Sequence, residues 1–252
     1  MASMSDDAIP IVLVHGIRTS ASMWRFQSEA LRSDGYEVQT VDLPGHGARM
    51  GEPFTVDGAV GAIDDRIAAF DRPVLLVGLS LGGYYAIEYA SRHPERVAGL
   101  VAAGCSTVPY GPPLEVYRSL ARGIRRLPDH GMWLHTAFVR RLLPPQGAID
   151  VLAGGVALDV MDAGLRATST LNPLAGLSAY DGPVWLVNGQ FDHFRADERR
   201  FLAACRDGRL VIVPGATHLA SLVRPMPFTD ALRRAAAELS ARRSVSIARR
   251  AK

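Results

Sequence analysis

The 252 residues suffice for one large α/β domain with a substantial core, or for such a domain carrying an insertion. A composition that is 48% hydrophobic and 21% charged excludes the disordered and fibrous classes, and no apolar run nears the roughly 20 residues that span a bilayer. The formal net charge of +3 belongs to the end of the chain: residues 233–252 hold seven basic side chains and one acidic, which leaves the remainder at −3. Lys252 is the single lysine, so the basicity reflects a bias toward arginine rather than a phosphate-binding face. The basic tail, 243–252, is expected to be frayed and solvated, with no nucleic-acid partner and no stable membrane association. Met1 to Pro10 is polar and acidic and lacks the basic and apolar regions of a secretory signal. Cys105 and Cys205 form no disulfide or metal framework, so a cytoplasmic location is expected.

Ile9 to Val14 is a short, β-rich apolar run ending at His15-Gly16, which predicts a buried strand. Trp24 to Arg32 has helical spacing and stops at Ser33-Asp34-Gly35. Tyr36 to Val41 reads as the next strand, closed by the turn cluster Asp42-Leu43-Pro44-Gly45-His46-Gly47. A helix over Val60 to Phe70, a strand over Pro73 to Val77, a helix over Gly82 to Arg92 and a strand over Val97 to Ala103 follow. The alternation resumes with a strand at Val184 to Val187, a helix at Ala196 to Cys205, a strand at Arg209 to Val213 and a last helix from Phe228 to Arg242. Such alternation builds a mainly parallel sheet with helices on both faces, and ligands then bind beyond the carboxyl ends of the strands.

Between Gly104 and about Tyr180 the alternation breaks. Helical patterns cover Leu114–Leu127, Met132–Leu143 and Ile149–Thr168, with prolines at 112, 113, 128, 144 and 145 between them. The expected organisation is a core of residues 8–104 and 181–242, with a helical lid over 105–180.

The chemistry sits at the ends of the strands. Val74 to Val77 runs into Gly78-Leu79-Ser80-Leu81-Gly82-Gly83, and an apolar-patterned helix follows. A serine at that strand-to-helix turn is exposed at the tip, and the flanking glycines leave room for close packing. Its hydroxyl is a weak nucleophile that needs a base, itself oriented by a third group. Asp192 lies just past the strand at Val184, and His218 just past the strand at Arg209, in Val213-Pro214-Gly215-Ala216-Thr217-His218. Ser80, Asp192 and His218 therefore reach the same sheet edge in the order nucleophile, acid, base.

With these motifs in order, the chain resembles the α/β-hydrolase superfamily. Val14-His15-Gly16-Ile17, the 42–47 turn, Gly78-Leu79-Ser80-Leu81-Gly82-Gly83, Gly189-x-x-Asp192 and Gly215-x-x-His218-Leu219 carry the resemblance across nearly the whole chain. It implies backbone N–H donors to an oxyanion at Ile17 and Leu81, where a tetrahedral intermediate needs preorganised hydrogen bonds. It implies a cofactor-independent serine hydrolase, with no metal, acting on a small-molecule ester, thioester or lactone with an apolar acyl part. Acyltransferases, C–C bond hydrolases, lyases and metal-free haloperoxidases share such a triad, and a ligand receptor on this fold is a further alternative. An aspartate replaces the nucleophile in the dehalogenases and epoxide hydrolases of the fold, and Ser80 argues against both. Some families place the acid after the strand that precedes the lid; Gly104-Cys105-Ser106 stands there and has no carboxylate.

Each assignment has a rival. Asp197 and Asp181 compete with Asp192, but one falls within a helix and the other before a strand. His193 competes with His218 and reads as solvent-facing or gating. His15 and His46 read as braces of their turns. Arg18 is a candidate for meeting an anionic group at the site mouth. Trp133, His135, Phe138 and Met161 are candidates for an apolar pocket in the lid, at a spacing that simple lid packing also fits. The oligomeric state is not legible.

Overall fold

The computed structural model describes residues 8–250, with side-chain detail excluded for Pro113 and residues 245–250. Six strands form one sheet in the order β2-β1-β3-β4-β5-β6, and every pairing is parallel. The strands are β1 Ile11–Val14, β2 Val38–Val41, β3 Val74–Leu79, β4 Val97–Ala103, β5 Pro183–Gly189 and β6 Asp207–Val213. β1 begins two residues later than the run from Ile9 predicts. Pro10 has no N–H to give to the ladder, although its carbonyl still accepts from Leu75 N at 2.8 Å.

Period-two alternation sorts the strand residues onto two covered faces. Ile11, Leu13, Leu75 and Val77 join one core with Trp24, Leu31, Phe228 and Leu232. Val12, Val14, Val74 and Leu76 join the other with Tyr85, Ile87, Leu177 and Phe201. Helices α1 (Arg25–Ser33) and α11 (Pro225–Arg250) therefore cover one face. Helices α2 (Val56–Ile67), α3 (Leu81–Arg92), α8 (Pro173–Ala179) and α9 (Glu198–Ala204) cover the opposite face. Full burial of each aliphatic side chain contributes about 1.5–3 kcal/mol, which is why central strands this uniformly apolar stay between the layers.

Local chemistry moves several helix ends. α2 starts at Val56, four residues before the expected Val60, because the Thr55 hydroxyl caps it by accepting from Gly58 N at 3.0 Å. The pattern over Ile149–Thr168 is two helices, α6 (Pro145–Ala153) and α7 (Met161–Thr168). Gly154-Gly155 separates them, and Gly155 holds a φ of +82° that ends α6. The remaining helices between β4 and β5 are α4 (Pro112–Arg125) and α5 (Met132–Leu142), close to expectation, and α8, which sequence reading did not foresee. α8 is capped by Asn172, which accepts from Ala175 N, and it packs on α3, with Gly176 seated against Ile87. The four-residue α10 (Ala220–Val223) leads into α11, whose helix runs through Arg250 instead of fraying at 243; residues 251 and 252 lie outside the described set. No helix among the described residues is long and apolar enough to cross a membrane.

Candidate active site

β3 delivers Ser80 to the carboxyl edge of the sheet in a conformation few residues adopt, with φ 55° and ψ −117°. Such a backbone costs about 1–3 kcal/mol and persists because its surroundings hold it. Ser80 N donates to Ala103 O of β4 at 2.8 Å, while Ser80 O accepts from Gly83 N at 2.9 Å and Tyr84 N at 3.2 Å. The two flanking glycines are steric requirements: a Cβ on Gly78 would overlap Gly82 O, and one on Gly82 would overlap Val14 O. A tight crossing of β3, α3 and the loop after β1 thus sets the position of the hydroxyl.

The loops after β5 and β6 bring Asp192 and His218 to the same place. His218 Nε2 lies 3.0 Å from Ser80 Oγ, and His218 Nδ1 lies 3.0 Å from Asp192 Oδ1. A proton on Nδ1 is donated to the carboxylate, which leaves Nε2 free to accept from the serine hydroxyl. The Asp192 side chain is fully buried, and the His218 side chain is 19% exposed. Burial raises the Asp192 carboxyl, but the His218 hydrogen bond and charge and the Phe194 N–H, which donates at 2.8 Å, outweigh it and hold it below its ordinary value. The carboxylate is therefore ionised at neutral pH.

Two residues that sequence reading missed complete this geometry. Phe194 gives its N–H to Asp192 and stacks its ring, tilted by 33°, at 4.6 Å from that of His218. Gly104 ends β4 at φ +57°, and a Cβ there would sit 3.2 Å from Asp192 Oδ2 and 3.3 Å from His218 Nδ1. The glycine in Gly104-Cys105-Ser106 was the visible signal for the second; Phe194 left none.

Ile17 and Leu81 both lie close to Ser80, across the loop after β1 or along the chain. Gly16 abuts Ser80, with its Cβ position 3.5 Å from Ser80 Cβ, and Ile17 follows it. Leu81 is the first residue of α3. Among the described residues, the Ile17 and Leu81 amides donate to no protein acceptor. The positive end of α3 adds to the field at that point.

The rival residues are engaged elsewhere. Asp197 accepts from Val108 N at 3.0 Å and pairs with Arg200, and Asp181 pairs with Arg206 at the surface. The His193 ring stands 5.3 Å from that of His218 and contacts neither Ser80 nor Asp192 through a hydrogen bond. His15 Nε2 accepts from Leu43 N at 3.0 Å, so its proton is on Nδ1, which faces Gly16 O at 2.8 Å. Burial and the adjacent His46 push the His15 imidazole down to about 3. His46 Nδ1 faces Pro44 O at 2.9 Å. Both histidines brace turns.

The residues proposed for a pocket divide. Arg18 and His135 are neighbours in charge, since the Arg18 cation helps to depress the His135 imidazole. Met161 is buried with Ala121 and Leu165 against Ile17, so α4 and α7 rest on the loop after β1. Trp133 and Phe138 are 61% and 60% exposed and project from α5. A cleft of about 350 Å³ opens between the loop around Met50 and Phe54 and the residues Met132, Val160 and Ala163; none of Ser80, Asp192 and His218 lines it. The hydroxyl of Ser80 and the imidazole of His218 converge outside this cleft.

The model of the alpha/beta hydrolase family matches residues 11–234, which contain every element of this site. The chain belongs to the alpha/beta hydrolase family. Over 250 aligned residues it is 28% identical to a pimeloyl-[acyl-carrier protein] methyl ester esterase of Edwardsiella ictaluri, with 88% of this chain and 91% of that protein covered. A protein of the same description from Neisseria meningitidis serogroup C is 36% identical over 99 residues, a match that spans 39% of this chain and only 37% of that protein. Among solved structures, a thermophilic esterase from Thermogutta terrifontis superposes with a TM-score of 0.75 at 22% identity, covering 92% of this chain and 90% of that one. That likeness is one of fold.

Proposed function

We propose that the chain is a serine hydrolase that cleaves a carboxylic ester, or a related thioester or lactone, through an acyl-enzyme. The observation that carries this reading is the unbroken relay Ser80–His218–Asp192, with both links at 3.0 Å. His218 Nε2 takes the hydroxyl proton as Ser80 Oγ attacks the carbonyl carbon. The same proton then passes to the departing alkoxide, and the ester C–O bond breaks. Asp192 holds the imidazole in the tautomer that accepts and stabilises the imidazolium. The Ile17 and Leu81 N–H groups receive the oxyanion, and removal of one such donor typically costs about 3–4 kcal/mol of barrier. Water, activated by His218, then releases the acid and restores Ser80. No step calls for a cofactor.

The relatives described as methyl ester esterases support an ester with a small alkoxide leaving group. The segment 105–180 serves as the lid, with its helices α4 and α7 resting on the proposed oxyanion loop through Ala121, Met161, Leu165 and Ile17. Two unpaired thiols, Cys105 and Cys205, accord with a reducing, cytoplasmic setting. The test is Ser80→Ala: turnover of a p-nitrophenyl ester is expected to fall by at least about 10⁴, with loss of fluorophosphonate labelling. Retained turnover in the variant overturns the mechanism.

A further inference from the structure

Arg18 occupies a backbone position that favours glycine. Its φ is +66°, in the left-handed region where a Cβ crowds the following carbonyl. The residue follows Ile17 and lies two positions from Gly16, which abuts Ser80. An arginine held under strain on the loop that abuts Ser80 is an outlier of the kind that clusters at ligand sites.

The side chain is equally unusual. Other partly buried arginines have partners: Arg72 pairs with Glu37, Arg118 with Asp162 and Arg209 with Glu238, and Arg96 donates to the Ile67 and Phe70 carbonyls. Arg18 is partly buried, makes no ion pair or side-chain hydrogen bond among the described residues, and its Nε is shielded from solvent; Arg72 Nε is shielded too, but that guanidinium is held by Glu37. His135 of α5 shows the same deficit, because its Nε2 is shielded and unpartnered. Burial and the Arg18 charge push the His135 imidazole down to about 4, so it is neutral and able to offer one N–H. A shielded polar nitrogen without a partner is costly and rare. Trp24, His46 and Arg72 each carry one as well, but Arg18 stands on the loop that abuts Ser80, and the Arg18 charge is felt at His135 on α5.

We infer that Arg18, with His135 beside it, forms an anion-recognition subsite that selects esters whose acyl or alcohol part carries a carboxylate or phosphate group. The planar guanidinium fork matches either anion, and a bound oxygen satisfies the nitrogens that the protein leaves bare. This rests on the hydrolase reading for the reaction it serves, and on the strained loop and unpaired nitrogens for the binding.

The experiment compares p-nitrophenyl esters of valeric acid, of glutaric acid as the monoester and of 4-phosphonobutyric acid. The wild type is expected to prefer an anionic ester, and the better of the two anionic arms separates carboxylate from phosphate recognition. Arg18→Gln is expected to lower the ratio of anionic to neutral kcat/KM by roughly 10- to 100-fold, the scale of a charge-assisted hydrogen bond. Arg122→Gln, at an exposed site on α4, leaves that ratio in place and controls for general electrostatics. Calorimetric binding of glutarate and of 4-phosphonobutyrate to wild type and Arg18→Gln reads the subsite without turnover, with a loss of the same size expected for the preferred anion. Arg18→Gly is expected to lose the preference while keeping at least the wild-type Tm, since it relieves the left-handed strain; a purely structural arginine predicts a lower Tm. Equal kcat/KM ratios in wild type and Arg18→Gln, or glutarate and phosphonobutyrate affinities unchanged by the substitution, overturn the inference. Absence of fluorophosphonate labelling at Ser80 speaks instead against the hydrolase reading, and the binding arms still decide the subsite.

Discussion

Gly104 shows how finely single residues set the site. Because its missing Cβ would stand 3.2–3.3 Å from Asp192 and His218, Gly104→Ala must shift the acid or the imidazole by a few tenths of an ångström, at a φ that alanine adopts only under strain. We expect kcat on a p-nitrophenyl ester to fall about 10- to 100-fold with smaller change in KM, since misalignment acts on the transition state; unchanged kcat contradicts this. At this scale, Ser80, Asp192 and His218 were legible because each follows a strand end, and position along the chain then decides position in space. Gly104 and Phe194 were not, because their importance lies in distances across the sheet edge. Trp133 and Phe138 resemble Met161 in sequence, yet only Met161 is buried, since helical spacing alone does not say which face meets a neighbour.

Between elements, the segment from β4 to β5 is held at defined points. Asp150 of α6, 5% exposed at its side chain, receives Arg25 Nε at 2.7 Å and Nη2 at 3.1 Å from α1. Ser22 Oγ donates to Asp150 O at 2.5 Å and accepts from Gly154 N at 3.2 Å, so the helical turn Ala21–Trp24 that precedes α1 and the end of α6 are tied together. The Arg25 side chain is 39% exposed and keeps Glu29 at 2.8 Å, so loss of Asp150 removes the bidentate tie between α1 and α6 rather than stranding a buried charge. Asp150→Ala is therefore expected to raise amide exchange over residues 145–153 by about tenfold or more while the strands of the sheet keep their protection. Unchanged exchange in α6 rejects that anchoring role. None of this was legible beforehand: prolines and glycines mark where helices stop, and they do not specify which helix docks on which. α8 makes the same point, because seven residues capped by Asn172 carry too little periodicity to be read as a core helix until Leu177 is seen beneath it, fully buried.

For the whole molecule, buried histidines couple folding to pH. The His15 imidazole, pushed down to about 3 from an ordinary 6.5 by burial first and then by His46, stays neutral when folded. An unfolded chain takes up that proton as the pH falls through about 6.5, so stability is full above that value and declines toward the folded value near 3. At about pH 5 this one group accounts for roughly 2 kcal/mol, and burial of His46 and His135 acts in the same direction. Asp192, Asp197 and Asp207 have depressed carboxyls and so add their losses only below about pH 4. The urea midpoint is expected to fall clearly between pH 7 and 5, before the carboxylates titrate; a flat midpoint over that range rules this out.

The order of strands and helices, the parallel sheet and the three residues of the relay were determined by local sequence, because apolar periodicity and glycine-bounded turns act over a few residues. Membership of the alpha/beta hydrolase family follows from the same run of motifs. The tertiary structure alone decided what stands around the relay. The unpaired nitrogens of Arg18 and His135, the stack of Phe194 on His218 and the anchoring of α6 all join residues far apart in the chain. Such contacts depend on how helices of similar composition settle on one another, a choice made by packing and by satisfaction of buried polar groups, and neither is written in the spacing of residues along a single segment.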